Sequence, residues 1–134
     1  MLKEKAVADV LNQVRSDGIQ GAFLIDREGL LLAKSTYDEE PEGSGDPSVS
    51  AALISYTWDT FERQEVLSGL YEMTLEFEKG IFVITRIANM LLVIRASPDT
   101  PLGLVRQKNT ALANYLLVPL SIVSNLQFQS DIVD

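Results

Sequence analysis

The chain has 134 residues, 46% of them hydrophobic and 22% charged, which is the size and balance of one compact domain able to bury a core without a disulfide or metal staple. Its formal net charge of −8 sets bare nucleic acid and anionic membrane surfaces aside as direct partners, because both repel an acidic protein. The sequence holds no histidine and no cysteine, which removes the usual zinc ligands, the Ser-His and Cys-His pairs and the common general base near neutral pH.

The opening stretch MLKEKAVADVLNQV places Val7, Val10, Leu11 and Val14 at helical spacing and predicts a first helix of about three turns, with Gly18 at the C-cap position. It is too polar for the apolar region of a signal peptide, and no apolar run nears the roughly 18 residues of a spanning helix. Work at a membrane is therefore expected to depend on another molecule holding the chain there. QGAFLID, then REG, then LLLAKSTY reads as strand, tight turn and strand, with Gly29 supplying a positive φ. Both strands carry consecutive apolar residues, the mark of a sheet covered on both faces.

Residues 38–48, DEEPEGSGDPS, cannot bury anything and predict a mobile acidic surface loop inside the domain. Asp38, Glu39, Glu40 and Glu42 read as solvated; they lack the spacing of a calcium-binding loop. Asp46 and Pro47 suit the N-cap and first position of a helix running from Pro47 to Val66. Its apolar stripe is wide: Val49, Leu53, Tyr56 and Thr60 follow one line, and Ile54, Trp58, Phe61 and Glu65 follow another. A stripe of that breadth is expected to bury core on one side and to meet a second surface on the other. Tyr56, Trp58 and Phe61 are the aromatic candidates for a partner, since large aromatics often carry interface energy.

LYEMTLEFEKG, Leu70 to Gly80, alternates: Tyr71, Met73, Leu75 and Phe77 fall on one parity and Glu72, Thr74, Glu76 and Glu78 on the other. A period of two with charges on one face predicts a half-buried strand at a sheet edge. IFVITRI and MLLVIRA follow after turns at KG and AN, completing a three-stranded meander. Arg86, among apolar neighbours in ITRIAN, reads as a structural arginine, either snorkelling to solvent or paired with an acid on the adjacent helix. A finger directed at a GTPase would be better presented from a loop. Thr100 as N-cap and Pro101 as N1 open a last helix along Val105, Lys108, Leu112 and Leu116, kinked at Pro119, and residues 124–134 form a tail.

These elements predict an α+β domain of three layers over residues 1–123, in the order α-β-β-α-β-β-β-α, with a five-stranded antiparallel sheet between helices on both faces. No glycine-rich phosphate loop and no spacing demanded by a catalytic mechanism occurs, so no enzymatic activity, no metal and no cofactor is expected.

The hairpin GIQGAFLIDREGLLLAKS (Gly18 to Ser35), the strand pair FVITRIANMLLVI (Phe82 to Ile94) and the closing ALANYLLVPLSIV (Ala111 to Val123) resemble the roadblock/LC7 family, and within it the branch found in Ragulator-type complexes. The loop at EEPEGSGDPS and the tail QFQSDIVD are longer than that branch's pattern. The resemblance implies a profilin-like fold and a non-enzymatic scaffold. It further implies a second roadblock-type subunit as partner, other scaffold subunits including a lipidated anchor, and Rag-type GTPases. The setting would be the cytosolic face of the late endosome, lysosome or vacuole, in TOR and MAP-kinase signalling.

In roadblock dimers the third strand and second helix form the joint, so the resemblance points to Tyr56, Trp58 and Phe61 together with Leu70, Glu72, Thr74, Glu76 and Glu78. Two identical strands paired antiparallel about Thr74 would set Glu72 against Glu76 twice, which favours a heterodimer. Two other readings stay open: a homodimeric roadblock protein acting as dynein light chain or small-GTPase activating partner, and a monomeric longin- or profilin-like trafficking module.

Overall fold

A computed structural model describes residues 4–13, 18–35, 47–64, 69–78 and 80–116. The elements in chain order are α1 (Glu4–Asn12), β1 (Ile19–Asp26), β2 (Leu31–Lys34), α2 (Pro47–Glu62), β3 (Glu72–Phe77), β4 (Gly80–Ile87), β5 (Met90–Ala96) and a last helix, α3, over residues 102–116. Residues 38–46 of the acidic loop, Pro119 and the tail 124–134 lie outside the described residues.

All strand pairs are antiparallel, and the sheet order is β2-β1-β5-β4-β3. The meander β3-β4-β5 therefore joins the hairpin β1-β2 through β5 against β1. The long apolar strands β1, β4 and β5 take the middle, and the alternating strand β3 takes an edge, as its one-sided polarity predicts.

Two cores lie on the two faces. On one, Val7 and Leu11 of α1 and Val105, Leu112 and Leu116 of α3 pack over Ala22, Leu24, Val83, Leu92 and Ile94. On the other, Ala51, Ile54 and Trp58 of α2 pack over Phe23, Ile25, Ile84, Leu91 and Val93, with Met73 and Leu75 of β3 at the margin. Neighbouring residues of one strand thus belong to different cores, which is why β1 and β5 read as continuous apolar runs.

The structure corrects several element ends. The turn between β3 and β4 lies between Phe77 and Gly80, because Gly80 already pairs with Phe77. A side chain there would meet the Ala96 carbonyl at 3.1 Å, so the glycine serves the close approach of β5. The last helix starts one residue later than expected, since Pro101 O accepts the bond from Val105 N at 3.2 Å. Thr100 turns its hydroxyl toward Ser97 Oγ (2.7 Å) and Gly18 O (3.3 Å), tying the start of α3 to the start of β1. The inward residue of α3 one turn beyond Val105 is Asn109, not Lys108. Its Nδ2 donates to Val83 O at 3.3 Å and to Thr85 Oγ1 at 2.5 Å, pinning α3 to β4.

Gly18 has a φ of 86°, and a Cβ on it would come within 2.2 Å of Thr100 Oγ1. Gly18→Ala should therefore destabilise the fold by about 2 kcal/mol, from left-handed backbone strain together with displacement of Thr100, read as a lower urea midpoint at unchanged slope.

Candidate partner interface

The second helix divides its two apolar lines between inside and outside. Ala51, Ile54, Ser55 and Trp58 recur at helical spacing and are buried on the sheet. Val49, Leu53 and Tyr56, a third of a turn or so around, remain 58%, 64% and 74% exposed. The breadth of the stripe thus reflects one covered face and one uncovered face.

Trp58 is corrected as a partner-contact candidate: it has no exposed surface, because its ring fills the core between α2 and the sheet. Its indole Nε1 donates to Glu62 Oε2 at 2.6 Å, so the one polar atom of the ring is satisfied. Glu62 also binds Arg27 from the β1-β2 turn, and the same guanidinium reaches Asp59 Oδ1 at 3.5 Å. That turn is held to α2 by two further contacts. Ser55 Oγ donates to Arg27 O at 2.9 Å, and Gly29, at φ 91°, lies so close that a Cβ would sit 3.2 Å from Ala52 Cα.

Burial by itself would raise the Glu62 carboxyl. The hydrogen bonds from Arg27 and Trp58, with the charges of Arg27 and Arg86, outweigh it and hold the group below the ordinary carboxylate range. Arg86 is an exposed residue of β4, and its charge is one of those that lower the Glu62 carboxyl.

The remaining candidates gather where α2 passes β3. Tyr56 is outward on α2, and Phe61 is 44% exposed near its end. Leu70 and Tyr71 precede β3, with Leu70 packed at the margin of the α2 core and Tyr71 O accepting from Arg86 N at 2.9 Å. Within β3, Met73, Leu75 and Phe77 turn toward α2, where Ser50, Leu53, Thr57, Leu75, Phe77 and Phe82 line a shallow groove. Phe77 is 56% exposed and meets Phe82 edge-on, with ring centroids 5.8 Å apart.

Glu72, Thr74 and Glu76 occupy the opposite face of the strand. Glu72 forms a salt bridge with Arg106 of α3, Nε to Oε1 at 2.5 Å. Glu78 falls beyond the end of β3, so the strand carries a shorter acidic row than the alternation in the sequence suggests. Val49, Leu53 and Phe77 complete the uncovered apolar surface. They were legible as the line through Val49, Leu53 and Tyr56 and as the parity of Phe77, but hydropathy does not separate outward aliphatics of α2 from core ones, and the apolar parity of β3 reads as the buried one.

A family model of the Roadblock/LC7 domain matches residues 5–96. The chain belongs to the Roadblock/LC7 family. The resemblance carried by the hairpin and the strand pair is thereby borne out. A relative from Caenorhabditis elegans, described as "Ragulator complex protein LAMTOR2 homolog", is 40% identical over 126 residues, covering 93% of this chain and 98% of that protein. Among solved structures, Myxococcus xanthus MglB superposes with a TM-score of 0.74 at 20% identity, covering 90% of this chain and 93% of that one. A profilin from Schizosaccharomyces pombe does so at 0.58 and 16% identity, covering 86% and 97%. At those identities the structures establish the roadblock, profilin-like fold alone.

Among the described residues no group of three or more His, Cys, Asp or Glu is placed to hold a metal ion, and no helix is long and apolar enough to cross a membrane.

Two measurements separate the inner from the outer line of α2. Trp58→Ala should cost about 3–5 kcal/mol of folding stability, and Tyr56→Ala no more than about 0.5 kcal/mol, by chemical denaturation of the isolated chain. Glu62 binds its proton less readily folded than unfolded. Its stabilisation is therefore complete above the ordinary value near 4.5 and is lost as pH falls through the lower folded value. The stability gap between the wild type and Glu62→Gln should accordingly shrink as the pH is lowered from about 6 to about 3.

Proposed function

We propose that this protein is a non-enzymatic adaptor subunit of a Ragulator-like complex, joined through α2 and β3 to a second roadblock-type subunit. One observation carries the reading: Val49, Leu53 and Tyr56 stand exposed on α2, beside the exposed Phe77 on an edge strand whose outer backbone groups have, among the described residues, no strand to pair with. A monomeric soluble domain rarely leaves aliphatic and aromatic side chains lined up along a helix next to an open sheet edge. A partner that presents its own helix and edge strand covers both at once: its strand extends the sheet and its helix packs on the apolar line.

The nematode relative supports the assignment to a Ragulator-type assembly rather than to another roadblock context. In such an assembly this subunit would act with a lipidated scaffold subunit that supplies the membrane attachment. Together they would position Rag-type GTPases on the cytosolic face of the lysosome, vacuole or late endosome for TOR and MAP-kinase signalling. Of the interface residues read from the sequence, Tyr56, Phe61, Leu70, Glu72, Thr74 and Glu76 remain assigned to this joint, with Val49, Leu53 and Phe77 added. Glu78 stands at its end.

Affinity capture of the full-length tagged chain from native extract, read by mass spectrometry, tests the proposal. Recovery of a second roadblock-type protein with a lipidated subunit and Rag-type GTPases is expected; recovery of a dynein intermediate chain in their place would overturn it. Leu53→Asp, which leaves the buried line of α2 untouched, should reduce capture of the second roadblock protein about tenfold or more, because it places a charge in the centre of an apolar contact.

A further inference from the structure

We infer that the α3-facing side of β3 is a selectivity element that disfavours pairing of this chain with itself and favours a non-identical roadblock-type partner bearing lysine or arginine across from Glu76. The inference rests on the proposed joint through α2 and β3 and assigns the chemistry of its occupant.

Geometry limits the registers open to a joined edge. For the two α2 helices to meet, they must lie on the same face of the extended sheet. Side chains directly opposite in an antiparallel pair point to the same face, so an α2-facing residue of one strand must stand opposite an α2-facing residue of the other. Met73, Leu75 and Phe77 therefore face their own kind, and so do Glu72, Thr74 and Glu76.

Two such registers cover most of the strand. Centred on Thr74, a self-pair sets Met73 against Leu75 on the apolar face, a good match, but sets Glu72 against Glu76 twice on the other. Centred on Leu75, it sets Leu75 against itself and Met73 against Phe77, and places Glu76 opposite Thr74 and diagonal to both Glu72 and Glu76 of the other copy. The apolar face accepts both registers. In each, carboxylates of the two copies come within the range at which cross-strand neighbours interact, and like charges there are destabilising.

Among the described residues the surroundings of this row do not neutralise it. Val83 and Ile81 of β4 stand beside Thr74 and Glu76, and Thr85 stands beside Glu72. Among the described residues the salt bridge of the row is Glu72 with Arg106, whose side chain is 57% exposed. Arg106 balances Glu72 within its own chain, and Glu76, an exposed residue near the end of the strand, has no salt bridge among the described residues and brings negative charge to the joint. Two copies bring that charge together twice. A partner with a cation at the facing position turns each repulsion into an attraction, at no change to the apolar contact on the α2 side.

Glu76→Lys in the full chain is the test, read by sedimentation equilibrium and light scattering on the protein alone. The wild type should be predominantly monomeric at micromolar concentration. Glu76→Lys should self-associate roughly tenfold or more tightly through the register centred on Thr74, where each copy then sets a lysine directly against the other's Glu72. That gain should weaken as salt is raised. Arg106→Ala, which removes the compensating cation, should lower the self-association of the wild type further.

A tight wild-type homodimer, or an unchanged monomer on Glu76→Lys with thermal unfolding showing an intact fold, would overturn the selectivity assignment and leave the partner-capture test of the joint standing. If instead Glu76→Lys dimerises and adding Leu53→Asp fails to break that dimer, the location of the joint on α2 and β3 is itself wrong.

Discussion

One carboxylate joins the core of α2 to the β1-β2 turn. Glu62, at the end of the helix, takes the indole N–H of Trp58 from its own helix and the guanidinium of Arg27 from the β1-β2 turn. A buried tryptophan needs a partner for its one polar atom, and an arginine in a turn needs an acid; one residue serves both. The consequence is rotational. With Trp58 seated against the sheet and the helix end tied to the hairpin, the line of Val49, Leu53 and Tyr56 has no freedom to turn inward. The uncovered surface is therefore a product of how the opposite side of the helix is held, and its exposure is built into the core.

The two faces of the sheet are also held by different means. On the α2 side the ionic contacts lie at the end of the helix, and one neutral bond, from Ser55 Oγ to Arg27 O, lies at its middle. On the α1 and α3 side a buried amide, Asn109, reaches the backbone of Val83 and the hydroxyl of Thr85 from the middle of the helix. An amide inserted among aliphatic residues has few alternative positions in which its hydrogen bonds survive, so it fixes the axial position of α3 on the sheet more strictly than leucine packing would. The salt bridge from Arg106, one turn earlier on the same helix, then falls onto Glu72 of the edge strand.

Much of this fold was legible in the chain because its periods are strong. The switch between 3.6 and 2 marked every strand and helix described. The strand over Met90–Ala96 and the start of α2 at Pro47 fell where turn and cap residues place them. The edge position of β3 followed from glutamates on one parity alone. What was not legible depended on which of two adjacent helical lines would turn inward. Trp58 and Tyr56 lie two residues apart, and both are aromatic. Hydropathy does not separate them; the hydrogen bond to Glu62 and the contacts of Arg27 do, and these join residues far apart in sequence. Asn109 was missed for the converse reason, since a polar residue at a core position looks like a surface residue until the strand hydroxyl it binds is in view.

The other border of the sheet, β2, bears on what this module can build. It has four residues, and its pairing with β1 is interrupted by a shift of register between Leu24 and Ile25. A border so short and irregular is a poor template for another strand, whereas β3 at the far side pairs with β4 in unbroken register over six residues. The molecule therefore has a valency of one with respect to sheet extension. If β3 is the joint proposed above, addition there ends the growth it begins: two such domains would make a closed pair rather than a filament, and further subunits would have to attach to the helical layers.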